Sequence, residues 1–255
     1  MQRRFEGKVV LVTGAMTGIG QATAVRLASE GALVALNQRP GLDASETMAK
    51  VEEVGGKAFP IIADMRDPEQ VVAMVEETVR RGSRIDHVVS NAAINPFMPW
   101  DDTSIEAFNE LFEINVRGAW VVCTEAAKHM IRQGIRGSMV MVSSISAHVG
   151  APTQVAYCGT KGAISMLGKA LGAVLGEKGI RVNVIEPGAV ATPMSAGMLD
   201  QPEIMKYYLD RIALKRIGDP AELAAAIAFF LSDDASYVTS ATLLVDAGFI
   251  VNAEL

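Results

Sequence analysis

Short β-branched runs alternate with longer amphipathic stretches along all 255 residues of the chain. The runs are Val9–Thr13, Leu33–Asn37, Ala58–Ala63, His87–Ser90, Ser138–Ser143, Arg181–Glu186 and Thr242–Val245. Between them the apolar spacing becomes helical, over Gly18–Glu30, Ala44–Val54, Pro68–Arg81, Ser104–Gln133, Val155–Lys178 and Pro220–Ser232. Continuously apolar strands separated by helices of about ten residues or more read as βαβ units, because parallel strands need a crossover and helices then cover both faces. Right-handed crossovers lead to a doubly wound α/β fold, Rossmann-like, with a parallel sheet of about seven strands. Helix punctuation agrees: Asp67-Pro68 and Asp219-Pro220 each set a capping Asp before a Pro at the first helical position, and Gly31 stands where the first helix must stop.

No Ser- or Pro-rich linker, charge block or repeat divides the chain, so residues 1–255 read as one domain. The least regular stretch, residues 188–218, carries Met194, Met198, Met205, Tyr207 and Tyr208 and is expected to form a substrate lid. Half the residues are hydrophobic and 20% are charged, which excludes a disordered chain. A formal net charge of −6 leaves no basic surplus for nucleic acid. Met1–Lys8 has no apolar signal core behind it, and no run approaches the ~20 apolar residues of a membrane helix. Two cysteines, Cys123 and Cys158, are too few for a disulfide framework, so a cytoplasmic location is expected.

The first strand runs into Thr13-Gly14-Ala15-Met16-Thr17-Gly18-Ile19-Gly20 and then directly into a helix. Glycines there allow a tight turn and close approach of backbone N–H groups to a pyrophosphate, which the positive end of the helix also attracts. A dinucleotide site of this kind usually has a carboxylate after the second strand for the ribose 2′-OH. This chain has Asn37-Gln38-Arg39, and a guanidinium there favours a 2′-phosphate, so NADP is expected to be preferred with NAD accepted.

Tyr157 and Lys161 stand at i and i+4, on one face of a helix. Ser144 lies at a strand end 13 residues earlier, close enough for one loop to return it to Tyr157. A phenol of pKa ~10 needs help to exchange protons at neutral pH, and a neighbouring ammonium favours its ionised form.

With these residues in place, the chain resembles the short-chain dehydrogenase/reductase family from about Gly7 to Gly248. The resemblance is carried by Thr13-Gly14-x-x-x-Gly18-x-Gly20, Asp64, Asn91-Ala92-Ala93, Asn115, Ser144, Tyr157-x-x-x-Lys161, Asn183-x-x-x-Pro187-Gly188 and Thr192. It implies that Tyr157 is the general acid/base, that Ser144 polarises the substrate oxygen, that Lys161 holds the nicotinamide ribose and lowers the Tyr157 pKa, and that Asn115 positions a water in a proton relay. It implies cofactor contacts from Gly14, Thr17, Gly18, Ile19 and Gly20 in the turn, from Asn37, Arg39, Asp64 and Met65, and from Asn91, Ala92 and Ala93. Tyr157, Lys161, Pro187, Gly188, Val190 and Thr192 would line the nicotinamide end. It also implies a homotetramer built on the two long helices and the C-terminal tail.

Ala93 replaces a glycine usual in that family, Met16 stands where NADP-using members often have a basic residue, and Asp246-Ala247-Gly248 replaces Asp-Gly-Gly. The segments Val34–Arg39, Asn91–Pro96, Gly134–Gly137 and Ala235–Thr239 are similar to bacterial aldose 1-dehydrogenases of the family. The expected reaction is therefore oxidation of an aldose at C1 to the lactone, with NADPH-dependent reduction of a 3-oxoacyl or other ketone as the alternative. A small-molecule substrate would meet Ser144, Ser146, Gln154, Asn95, Phe97, His148 and Tyr157, with Thr192 a further polar candidate and Met98 and Trp100 as further apolar walls. His87, His129, Cys123 and Cys158 read as structural, and no metal-ligand spacing occurs.

Overall fold

In the computed structural model, which describes residues 3–252, every β-branched run becomes a strand of one parallel sheet. The strands are β1 (Val9–Val12), β2 (Leu33–Gln38), β3 (Lys57–Ile62), β4 (His87–Ser90), β5 (Ser138–Val142), β6 (Arg181–Pro187) and β7 (Thr242–Val245). Their order is β3-β2-β1-β4-β5-β6-β7, so the winding reverses between β1 and β4. Crevices at the carboxyl ends of strands beside such a reversal are where open α/β sheets bind ligands.

Side chains alternate between two cores. Val10, Val12, Val34 and Val140 face helices α1 (Gly18–Ser29) and α9 (Pro220–Leu231), burying Leu27, Ala28, Ile227 and Phe230. Leu11, Ala35, Val88, Met139 and Met141 face the other way, against α3 (Pro68–Gly82), α5 (Ala119–Arg132) and α6 (Val155–Leu175). Burial on both faces explains the unbroken apolar run of β1, and β4 is buried throughout as well. Pro60 sits in β3, an edge strand, where its missing N–H costs no ladder bond. The remaining crossover on the β2–β3 side is α2 (Ser45–Glu53).

The expected capping holds: the Asp67 carboxylate accepts from the backbone N–H of Glu69 and Gln70, and Asp219 accepts from Ala221. Two long helical readings need correction. Ser104–Gln133 is α4 (Ile105–Phe112) and α5 joined by a wider π turn, Glu113–Gly118. The Val155–Lys178 stretch leaves the α-helix at Leu175 and finishes as a 3-10 turn, Gly176–Lys178. Residues 188–218 hold two short helices, α7 (Pro193–Leu199) and α8 (Pro202–Arg211). The ends of that excursion are stitched together, since Gly218 N–H donates to Ala189 O and Ala191 N–H to Gly218 O, both at 2.9 Å. The last three residues of the C-terminal tail lie outside the described residues.

Candidate active site

A cavity of about 1140 Å³ opens at the carboxyl ends of β1, β2, β4, β5 and β6. At one end lies the glycine turn. Gly14 adopts φ +63, and a Cβ on it would come within 2.9 Å of the Ala92 Cα, so the position demands glycine on two counts. Thr13 Oγ1 accepts from the N–H groups of Asn91 and Ala92, and Asn91 Nδ2 donates to the Thr13 and Gly14 carbonyls at 3.0 and 3.2 Å. Asn37 Oδ1 accepts from Gly14 N–H, while its Nδ2 donates to Ala63 O. The side chains of Asn37 and Asn91 therefore hold the turn in shape, and both residues also line the cavity. Gly20 lies off the cavity wall; a Cβ there would meet Gly14 O at 2.2 Å, so it serves close packing of helix on turn.

Thr17, the N-cap of α1, makes no side-chain cap hydrogen bond and no acidic residue lies in the first turn, so the helix start beside Thr17, Gly18 and Ile19 suits an anion. Beyond the turn the wall continues through Arg39, Asp64 and Met65. Arg39 is exposed. Asp64 is held by Arg66 through a pair of hydrogen bonds, 3.0 Å from Nε and 2.6 Å from Nη2 to Oδ2, and hydrogen bonding from Arg66 keeps its carboxyl below the usual range.

Ser144, Tyr157 and Lys161 come from one strand-loop-helix unit. Ser144 leaves β5 and caps a one-turn helix, Ile145–Ala147, accepting from Ser146 N–H at 3.0 Å. Tyr157 and Lys161 project from the first turns of α6 and are both buried. Lys161 Nζ donates to Val142 O at 2.9 Å and sits 5.4 Å from the Tyr157 ring centroid. Burial pushes Lys161 down to about 8. Burial pushes the Tyr157 phenol up, with a hydrogen bond from Ser144 acting the other way. Desolvation is the largest influence on the phenol, and the Ser144 hydrogen bond is the one that lowers it.

Asn115 occupies the π turn, buried, with Oδ1 accepting from Ile94 N–H and Nδ2 donating to Ile94 O and Thr160 Oγ1. It ties the strand-four loop to α6 and does not reach the cavity wall. Asn95, Phe97, Ser146 and Gln154 line the substrate end, with Ser146 Oγ donating to Gln154 Oε1 at 3.4 Å. Asn95 Oδ1 is buried without a hydrogen-bond partner among the described residues. His148 does not line the cavity; its ring turns away to Glu186, with Nε2 2.6 Å from Oε2. Met98 and Trp100 are also off the wall, and Trp100 is exposed.

Pro187, Gly188, Val190 and Thr192 also line the cavity, and α7 and α8 add Met194, Met198, Tyr207 and Tyr208. Arg66, Arg211 and Phe249 also reach the cavity and were not singled out from the sequence. The Arg211 guanidinium lies over the Tyr207 and Phe249 rings, 5.4 and 5.8 Å from their centroids. Only Arg66, two residues beyond Asp64, left a local signal. Cys123 and His87 are buried structural groups, as expected.

A phosphate-binding turn and a Ser–Tyr–Lys group facing one cavity, on a sheet that reverses its winding between them, describe a dinucleotide-dependent oxidoreductase. Comparison with known proteins agrees. A family model described as enoyl-(acyl carrier protein) reductase matches residues 14–250. L-Rhamnose 1-dehydrogenase (NAD(P)(+)) of Sphingomonas sp. (strain SKA58) is 40% identical over 251 residues, 98% of this chain and 99% of that one. Glucose 1-dehydrogenase of Gluconobacter oxydans (strain 621H) is 37% identical over 246 residues, 96% of this chain and 92% of that one. The crystal structure of levodione reductase superposes with a TM-score of 0.93 at 34% identity, covering 98% of this chain and 100% of its own. The chain belongs to the short-chain dehydrogenase/reductase family, a family of NAD(P)-dependent oxidoreductases.

Proposed function

We propose that the protein oxidises an aldose at C1 to the corresponding lactone, with NADP preferred and NAD accepted. The observation that carries this is the convergence on one cavity of Ser144, Tyr157 and Lys161 with a ring of polar side chains, Asn95, Ser146 and Gln154, beside the aromatic faces of Tyr208 and Phe249. A pyranose needs several directed hydrogen bonds and a flat apolar face, and this wall offers both. The similarity to rhamnose and glucose 1-dehydrogenases supports the same choice.

In this reading Tyr157 accepts the proton of the C1 hydroxyl while the Ser144 hydroxyl donates a hydrogen bond to the same oxygen. Lys161, fixed by Val142 O, holds the ribose next to them. When bound, the oxidised nicotinamide supplies the hydride acceptor and a positive charge that favours the phenolate. Asn115 fixes the Ile94 backbone beside α6, a place suited to the water of a proton relay. The first turn of α1 takes the pyrophosphate, and exposed Arg39 takes the 2′-phosphate that a carboxylate in its place would repel.

The protein acts in the cytoplasm as a homotetramer. Its two cysteines are free, in keeping with a reducing compartment. Exposed apolar side chains on the outer helices, Phe108, Trp120, Met166 and Val174, support assembly through those faces, which light scattering on the purified protein would test. Among the described residues no helix is long and apolar enough to cross a membrane.

The reaction is tested by following reduced-nicotinamide absorbance over a panel of aldoses with each cofactor, and with a 3-oxoacyl thioester in reverse. Sugar-dependent reduction of NADP is expected. Rapid NADPH loss with the thioester and none gained with any aldose would replace the sugar reading with the reductase one.

A further inference from the structure

Glu186 is a fully buried carboxylate at the end of β6, immediately before cavity-lining Pro187 and Gly188. The other acidic side chains buried as deeply, Glu30 and Asp86, are each answered by arginine: Arg4 and Arg26 for the first, Arg84 for the second. Among the described residues Glu186 has no arginine or lysine partner. Its Oε2 is 2.6 Å from His148 Nε2, and its Oε1 accepts from Ser165 Oγ at 2.5 Å. Burying a carboxylate against a histidine and a serine is a poor way to stabilise a fold, since the desolvation of the charge is only partly offset.

What the arrangement does achieve is connection. His148 closes the one-turn helix that Ser144 opens, and its own N–H donates to Ile145 O. Ser165 lies on α6, two turns beyond Tyr157 and one beyond Lys161, and its hydroxyl also meets Ser143 Oγ at 2.9 Å. Ser143 in turn donates to Lys161 O at 2.8 Å. One carboxylate thus joins the segment bearing Ser144, the helix bearing Tyr157 and Lys161, and the strand leading to Pro187.

We propose that Glu186 and His148 are positioning residues, which fix the separation of the Ser144 hydroxyl from the Tyr157 phenol by clamping the Ser144 turn to α6 and β6. This rests on the reading of Ser144 and Tyr157 as the reacting pair. Neither clamp residue touches substrate; both act through the turn. A misplacement of reacting groups by about an ångström is enough to slow a step by one to two orders of magnitude.

The test compares H148A, H148Q, E186Q and the H148A/E186Q double variant with the wild type, measuring kcat, KM, cofactor Kd and Tm, with Y157F alongside. His148 is half exposed, so its variants fold even if a change at Glu186 does not. H148A is expected to lower kcat about tenfold or more, as a loosened reacting geometry would, while cofactor Kd stays within about twofold. H148Q should recover most of the lost rate, because its amide N–H reaches the same carboxylate oxygen. The double variant should be no slower than its slower parent, the signature of two residues acting as one unit. Wild-type kcat in H148A, equal rates for H148A and H148Q, losses that multiply in the double variant, or a parallel collapse of cofactor affinity would each overturn the proposal. If Y157F is inactive while H148A is unimpaired, the clamp fails and the reacting pair stands; an active Y157F removes the premise itself.

Discussion

Tyr157 and Lys161 are four residues apart, buried, and pulled in opposite directions by the same cause. Desolvation disfavours whichever form carries charge, so the phenol is pushed up and the ammonium is pushed down to about 8. At neutral pH the protein alone therefore keeps the phenol protonated and neutral, while Lys161, although pushed down, is still mostly an ammonium. Y157F removes the only group at that position able to take the proton. It is expected to cut turnover about a thousandfold or more, in the upper range for loss of a general base, with cofactor affinity little changed. Stopped-flow turnover and a cofactor titration on the same variant check both halves. Arg39 can be argued in the same way. It is an exposed cation on the cavity wall, near Asp64, with the carboxylate usual for a 2′-OH absent. R39A is expected to weaken NADP about tenfold, one charge-assisted contact, and to leave NAD nearly untouched. Equal effects on the two cofactors, read from their dissociation constants, would remove Arg39 from that role.

Among the elements, the Ser–Tyr–Lys cluster was legible because it is local: one strand end, one loop and the first turns of one helix hold Ser144, Tyr157 and Lys161. The glycine turn was legible for the same reason. The π turn at Glu113–Gly118 was not, since one extra residue per turn barely disturbs an apolar period over a long helix. Nor was the pairing of His148 with Glu186, 38 residues apart, which only the sheet order brings together; read alone, His148 passed for a substrate contact. Arg211 and Phe249 reach the cavity from the end of α8 and from the C-terminal segment, through packing with Tyr207 that no spacing encodes. The π turn itself has a checkable cost. Gly118 ends it, and a Cβ there would come 2.6 Å from the Met65 carbonyl oxygen and 3.1 Å from the Met65 side chain. Backbone oxygen cannot step aside as a side chain does. G118A is expected to lose about 1–3 kcal/mol of stability, as overpacked sites do, and to weaken the cofactor because Met65 lines its cavity. A melting curve with and without cofactor measures both effects; unchanged stability would mean that the wide turn is not held by this close approach.

For the molecule as a whole, acid sensitivity is set in part far from the active site. His87 opens β4 at the sheet centre, buried, with Nδ1 2.8 Å from Ser138 Oγ and Phe5 edge-on to its ring. Ser138 Oγ itself donates to Leu231 O, so it accepts from His87, and the neutral ring satisfies the site without a charge. Burial pushes His87 down from its usual 6.5 to about 4. In the unfolded chain the ring takes a proton as pH falls through 6.5, while in the folded chain it stays neutral until about 4. Across that window the unfolded state binds more protons, so stability falls as pH falls, by about 3 kcal/mol in all for this one group. Above pH 6.5 both states are neutral and His87 contributes no slope. The carboxylates of the chain add their own acid sensitivity, so the variant difference is the quantity to measure. H87N keeps a donor near the place of Nδ1 and cannot titrate. Urea unfolding of wild type and H87N between pH 7 and pH 4 should therefore give two curves that converge toward low pH, with H87N the less stable at neutral pH and the flatter in acid. Parallel curves through the window would mean that His87 is charged in the folded protein, and that the sheet centre tolerates an imidazolium which its surroundings give no means to neutralise.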